Sequence, residues 1–329
     1  MIRLRIGYLF TGIVTGFILL VSFLTTIPDG KLHVVFCDVG QGDGIYIRFP
    51  DGKDMVIDGG PASPSQGGSG TKIISCLSRH MPFWDRAIDV VVLTHPQRDH
   101  MDGLISVLER YTVSYMLRSD VATNTEGFAT LKKRIAEKKV IEKFAQTGEV
   151  IDIGAVHLSI LWPSTEQIAS MKPRLSLDSR QTVLGASIDP AVKAAQNVND
   201  ASIVLSLSYG SFDALFPGDA DSRIQPKLLS AVHSFARDGV LDLLKVPHHG
   251  SKAGMTDQFL QEMSFKTTSH VKPESHIPLA VISVGKNSYG HPAPEALSKL
   301  EQAGFTIQRT DKKGDIEVVS DGRVWSVKK

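Results

Sequence analysis

The chain has 329 residues, of which 42% are hydrophobic and 22% charged, and its formal net charge is +1. This is ordinary globular composition, enough for one large domain or two small ones, and no overall charge calls for a polyanionic partner. The two cysteines, Cys37 and Cys76, are too few for a disulfide framework and match no zinc-ribbon spacing, so we read both as buried thiols.

The N-terminal stretch MIRLRIGYLFTGIVTGFILLVSFLTTIPDG carries Arg3 and Arg5 ahead of an uncharged, mostly apolar run from Ile6 to about Ile27. A helix needs about 20 apolar residues to cross the hydrocarbon core. The run exceeds a usual secretory h-region, and no A-x-A-like site follows it. Residues 1–29 therefore read as a signal anchor with its arginines in the cytoplasm, and residues 30–329 as a domain outside it. The alternative is a cleaved signal peptide, which would release that domain.

Beyond Gly30 the texture changes to short apolar runs cut by Gly, Asp and Pro. HVVFCDV, GIYIRFP and DMVIDGG read as strands, the last ending at Asp58. A loop, PASPSQGGSG, precedes a helix over TKIISCLSRHM. AIDVVVLT is a buried strand, and MDGLISVLERY has amphipathic helical spacing. VSYMLRS and VHLSILWP read as strands flanking a lysine-rich helix, GFATLKKRIAEKK. Residues 163–198 read as a long loop. ASIVLSLSYG and FDALFPGDAD form a hairpin, followed by a helix over SRIQPKLLSAVHSFA and a strand over LDLLKVP. Residues 253–278 are irregular. PLAVISVG, a Pro-started helix over PAPEALSKLEQAG, and strands over FTIQRTD, GDIEVVS and RVWSVKK close the chain. Helices coming singly between groups of strands fit two mixed sheets packed face to face with helices outside.

The polar residues at strand ends carry the chemistry: Asp38, Asp58, His95, Asp99, His100, Asp219, His248, His249 and His291. Ligand sites in α/β sheets collect beyond strand ends. Imidazole and carboxylate together suit zinc, manganese or iron, and an open position on such an ion acidifies a bound water. Taken singly, each motif has a plainer reading. HPQRDH is a solvated loop, FPGDAD a turn with Asp221 capping the next helix, and PHHGS a strand end. Asp38 and Asp58 could hold turns through their side-chain oxygens.

As a set, these residues carry a resemblance. THPQRDHMDG resembles the HxHxDH signature of metallo-β-lactamase-fold hydrolases. FCDVGQGDGIYIRFPDGKDMVIDGG, LFPGDAD, LLKVPHHGSKAG, SVGKNSYGHPAPEAL and TDKKGDIEV resemble, in order from about Leu32 to Val318, the C-terminal hydrolase-like domain of ComEC-type DNA-uptake proteins. The resemblance implies a four-layer αββα sandwich. It places His95, Asp99, His100, Asp219 and one of His248 and His249 at a metal site, with His248 preferred as the first residue after its strand. It puts Asp58 behind the ligands and His291 beside the substrate. Asp38, Gln41, Asp43, Ser251 and Asn287 would help shape the site, and Lys252 or His291 would contact phosphate or assist the leaving oxygen.

Two departures stand out. Gln97 occupies the place of the signature's second histidine, and the third-motif histidine of the wider fold is missing, with Asn199, Asp200 and Ser202 in its region. One half-site is thus incomplete. We expect one tightly held ion, manganese or zinc, with a second arriving only with substrate.

The implied activity is metal-dependent phosphodiester hydrolysis, on DNA, outside the membrane, in a competence-related role, with Asp99 or Asp219 orienting the water. The lysines and arginines of LKKRIAEKK and KVPHHGSK could follow a phosphate backbone, although a solvated helix face explains the first equally well. The rival readings are hydrolysis of another extracellular phosphoester, phosphocholine- or nucleotide-like, and a DNA-binding module with a degenerate metal site.

Overall fold

The computed structural model describes residues 10, 12–17, 28–62, 70–171, 197–235, 241–264 and 277–328. Its strands are β1 (Leu32–Phe36), β2 (Ile45–Arg48), β3 (Asp54–Ile57), β4 (Ala87–Leu93), β5 (Thr112–Arg118), β6 (Ile141–Phe144), β7 (Val150–Ile153), β8 (Val156–Trp162), β9 (Val204–Tyr209), β10 (Phe212–Phe216), β11 (Leu243–Lys245), β12 (Leu279–Ile282), β13 (Thr306–Arg309), β14 (Ile316–Ser320) and β15 (Trp325–Val327). The helices are α1 (Gly70–His80), α2 (Arg98–Arg110), α3 (Glu126–Glu137), α4 (Thr165–Met171), α5 (Gln225–Phe235), α6 (Asp257–Ser264), α7 (Pro294–Gln302) and α8 (Thr310–Lys313).

The strands form an 8-stranded sheet in the order β15-β14-β1-β2-β3-β4-β5-β6 and a 7-stranded sheet in the order β13-β12-β11-β10-β9-β8-β7. Alternation along the strands sends one set of side chains between the sheets. Phe36 on β1 and Phe216 on β10 meet there, ring centroids 6.4 Å apart, among Val34, Ile47, Leu158 and Leu205. The opposite set on the first sheet packs against α1, α2 and α3 through Cys76, Leu104 and Leu131. On the second sheet Leu244 and Ala280 pack against α5, α6 and α7 through Leu228, Phe259 and Leu300. The result is the expected two-sheet sandwich with helices outside. Truncating Phe36 or Phe216 would cost about 3–5 kcal/mol.

Pairing is antiparallel from β14 through β3, then parallel from β3 to β6. In the second sheet β10 to β13 are parallel. The carboxyl ends of β3, β4, β10, β11 and β12 therefore gather at one edge of the sandwich, where Asp58, His95, Asp219, His249 and the segment after Ile282 emerge.

Several expectations need correcting. Cys37 and Cys76 are bonded, with Cα atoms 5.8 Å apart, because the end of β1 packs against α1; they are not free thiols. The expected loop over 163–198 contains α4, and the irregular stretch 253–278 contains α6. Strands β6 and β7 were missed because they are short and largely exposed, so they lack an apolar pattern. Asp221 does cap the turn into α5: its side chain accepts from the Arg223 amide (3.0 Å) and its carbonyl from the Gln225 amide (3.1 Å). Most of the predicted anchor, and residues 63–69 of the predicted loop, lie outside the described residues. No helix among the described residues is long and apolar enough to cross a membrane.

Candidate metal centre

The loop between β1 and β2 is held against the start of α2. The Asp43 backbone amide donates to the Asp99 carbonyl at 3.1 Å. Only glycine fits at position 42 beside it: φ is +141°, and a Cβ would stand 2.1 Å from the Asp99 carbonyl oxygen. This clamp brings Asp43 beneath the residues supplied by β4 and α2.

Asp58 adopts a left-handed conformation, φ 57°, immediately after β3. Its Oδ1 accepts from the Thr94 amide at 2.8 Å, and its Oδ2 accepts from Thr94 Oγ1 at 2.7 Å and from His100 Nδ1 at 2.7 Å. With its proton committed to Asp58, Thr94 Oγ1 can only accept, so His95 Nδ1 donates when it carries its hydrogen, to Thr94 Oγ1 (3.0 Å) or Ser202 Oγ (3.2 Å). His249 Nδ1 donates to the Ser283 carbonyl at 3.0 Å. In the neutral form, therefore, all three imidazoles turn an Nε2 lone pair toward a common centre. This is the usual arrangement of metal-bound histidines, the other nitrogen being held by a carboxylate or carbonyl.

The centre is completed by Asp219, which follows β10 and whose backbone amide donates to Ser202 Oγ at 3.2 Å. Asp219 Oδ1 lies 3.4 Å from His100 Nε2. His249 Nε2 lies 3.4 Å from Asp99 Oδ2 and 3.7 Å from Asp219 Oδ2. Ligand atoms of His95, His100 and Asp219 fall within 4.8 Å of one another, as do those of Asp99, His100 and His249. His95 Nε2, His100 Nε2, His249 Nε2 and Asp219 Oδ1 are buried and have no hydrogen-bond partner among the described residues. Buried polar atoms without partners are costly, and their convergence from four residues fits a divalent cation.

The electrostatics agree. Burial works against charge on His249, but Asp219 and Asp43 outweigh it and lift the imidazole to about 10. His100 is likewise raised well above its usual range, burial being overcome by Asp219 and Asp58. Burial would raise Asp99 and Asp219, yet the neighbouring His100 and His249 hold both below the ordinary carboxylate range. Burial, aided by His100, pushes His95 down to about 3. The carboxylates thus draw positive charge to the Nε2 edges of His100 and His249, a demand that a divalent ion meets.

Of the paired histidines, the second enters the cluster. His248 and His249 both have left-handed backbones, φ 51° and 53°, so the chain turns as it leaves β11. His249 is buried, whereas the His248 side chain is 27% exposed with Nε2 3.8 Å from Asp219 Oδ2. The turn, rather than the order of residues after the strand, sets which of the two is buried. The absent half-site is also visible: Gln97 Nε2 donates to Asn199 Oδ1 at 2.6 Å, an amide pair beside His95. Asp200 turns away to Arg223, 3.0 Å distant.

Above the centre a cavity of about 520 Å³ opens to solvent, with Asp99 and His249 on its lining and Arg98, Lys286, Tyr289 and His291 around it. His291 faces His248, ring centroids 5.7 Å apart. Asn287 holds this loop, donating to the carbonyls of Gly285 (2.9 Å) and His291 (2.8 Å). Gln41 also lines the cavity, and its Oε1 accepts from the Gly285 amide at 3.3 Å.

Some expected residues lie elsewhere. Lys252 is outside the cavity lining, its exposed Nζ ion-paired with Glu295 at 2.8 Å. Ser251 contributes a backbone turn, its amide donating to the His248 carbonyl at 2.8 Å. Asp38 accepts from the Gly40 amide at 3.1 Å and pairs with Lys72, away from the cluster. The basic helix α3 spends Lys132, Lys133 and Arg134 on glutamates. Lys245 of KVPHHGSK is 1% exposed and unavailable to a phosphate backbone. Its place, a lone charge ending an apolar strand just before PHHG, was the signal that it belongs to the centre.

No family model matches the chain. It is 23% identical over 330 residues to ComE operon protein 3 of Bacillus subtilis (strain 168), covering 95% of this chain and 36% of that protein. It is 24% identical over 286 residues to Recombination protein 2 of Haemophilus influenzae, covering 85% of this chain and 28% of that protein. The chain thus spans about a third of the length of these relatives. Among solved structures, the metallo-β-lactamase fold protein YhfI from Bacillus subtilis aligns with TM-score 0.49 and 10% identity, covering 88% of this chain and 100% of the other. Zn(2+)-bound PqqB from Methylobacterium extorquens aligns with TM-score 0.48 and 11% identity, covering 84% and 97%. Sequence similarity to these two relatives across nearly the whole chain, together with the two-sheet architecture, supports a ComEC-type domain of the metallo-β-lactamase fold.

Proposed function

We propose that the chain is a metal-dependent phosphodiesterase acting on DNA outside the cytoplasm. The observation that carries this reading is the convergence of His95, His100, His249 and Asp219 atoms, buried and unpartnered, beneath a solvent-open cavity. One divalent ion, manganese or zinc, would be held by Asp99, His100, Asp219 and His249, with His95 alongside. Such an ion polarises a phosphoryl oxygen and acidifies water.

The chain's own groups supply the rest. Asp99 is the carboxylate of the cluster that reaches the cavity, its side chain 24% exposed, and His100 and His249 keep it ionised. It orients the attacking water. His291, which lines the mouth, would assist the leaving oxygen. Lys286, and Arg98 if it leaves Asp102 (3.1 Å), would meet the flanking phosphates from the cavity lining. A polynucleotide substrate is also supported by similarity to a relative named for recombination.

The Cys37–Cys76 disulfide suits an oxidising compartment, in keeping with an N-terminal apolar run whose arginines stay inside. A second reading, hydrolysis of a small phosphoester, is favoured by the cavity, whose size is that of a single-ligand pocket.

The test strips the purified chain of metal, restores manganese, zinc or magnesium separately, and offers linear single- and double-stranded DNA beside small phosphodiesters. We expect DNA cleavage that requires metal and falls at least about 100-fold in Asp99→Ala. Turnover of small esters alone would establish the second reading. No turnover with an ion bound would remove both.

A further inference from the structure

We propose that Lys245 is a positioning residue for the metal centre, acting through Asp43. The inference rests on the metal-centre reading above. Lys245 ends β11 on the inter-sheet side, sharing the face of Leu243, and its side chain is 1% exposed. A lysine is almost never so buried unless it is paired, because removing its charge from water costs several kcal/mol. Here Nζ makes an ion pair with Asp43 Oδ2, donates to the Gly218 carbonyl at 2.8 Å, and stands 3.6 Å from Asp219 Oδ1.

Asp43 passes this restraint on. Its Oδ1 lies 3.3 Å from His249 Nδ1 and its Oδ2 3.7 Å from His100 Nδ1. These are the edges opposite the Nε2 atoms that face the centre. Lys245 therefore holds a buried carboxylate behind two imidazoles and anchors the carbonyl preceding Asp219. One ammonium joins groups from three separate segments: the β1–β2 loop, the turn after β10, and β11. Without it, Asp43 would be a buried carboxylate missing its counter-ion and would not keep that place. Groups behind metal ligands typically govern affinity by about 10–100-fold.

The experiment measures Mn²⁺ binding to the full chain from the electron paramagnetic resonance of free Mn²⁺, in wild type, Lys245→Met, Asp43→Asn and the double variant, with circular dichroism to verify folding. We expect each single change to weaken Mn²⁺ binding by about 10–100-fold. The double variant should bind no more weakly than Asp43→Asn, since the lysine works through that carboxylate. Wild-type affinity in either single variant would overturn the proposal, and so would a double variant weaker than Asp43→Asn. If Lys245→Met does not fold, the comparison of the double variant with Asp43→Asn still decides. If wild type binds zinc but not Mn²⁺, the same comparison is read from zinc affinity; absence of binding of both ions by wild type would sink the metal-centre reading itself and this inference with it.

Discussion

His100 Nδ1 lies 2.7 Å from Asp58 Oδ2, and both side chains are fully buried. The left-handed backbone at Asp58, φ 57°, aims its carboxylate at His100 and Thr94 together. Asparagine tolerates that conformation, so Asp58→Asn leaves the backbone in place while it removes the charge and turns one accepting oxygen into a donor. We expect this variant to take up divalent metal about 10–100-fold more weakly by calorimetric titration. Unchanged affinity would mean that the carboxylate does not orient the imidazole.

Gln97 and Asn199 occupy the incomplete half-site as an amide pair, 2.6 Å apart. Gln97→His would place an imidazole there beside His95. Metal content per folded chain, measured by plasma mass spectrometry after dialysis, should rise above the wild-type value. An unchanged content would show that the half-site lacks more than this one ligand.

The Cys37–Cys76 bond closes a loop with a sequence separation of 39. Closing a loop of that order stabilises a fold by about 2–4 kcal/mol. Denaturant unfolding of Cys76→Ser should show a loss of that size, with the centre still able to bind metal. Reduction of the wild type should give the same loss.

His80 joins α1 to Asp315 (3.2 Å) and to Glu317 on β14 (3.4 Å). Burial lowers its pKa, but hydrogen bonds to Asp315 and Glu317 outweigh that and lift it to about 9, from 6.5. A raised histidine stabilises fully below its unfolded pKa and loses that contribution as pH climbs through the folded value. Asp54, pushed up to about 7 by burial, loses its own contribution lower in the range. Unfolding free energy should therefore drop by on the order of 1–2 kcal/mol between about pH 7.5 and 9.5, and less in His80→Gln. Equal slopes in the two proteins would refute the assignment.

Much of this protein was readable along the chain. Short, nearly continuous apolar runs such as AIDVVVLT mark buried strands because both faces must leave water, and polar residues at their ends mark where loops converge. His95, Asp99, His100 and Asp219 were therefore visible as a set. What needed the third dimension was every property that depends on which segments meet. Cys37 and Cys76 lie far apart in sequence, and only the packing of α1 on the first sheet brings them together. Consecutive left-handed residues, not strand alternation, decide that His249 rather than His248 turns inward. Lys245 stands out in the sequence only as a lone charge ending an apolar strand, which does not say what it pairs with. The parallel pairing of β10 with β11 and the clamp at Gly42 place it between Asp43 and Asp219, where a buried ammonium is stable only because carboxylates from distant segments surround it.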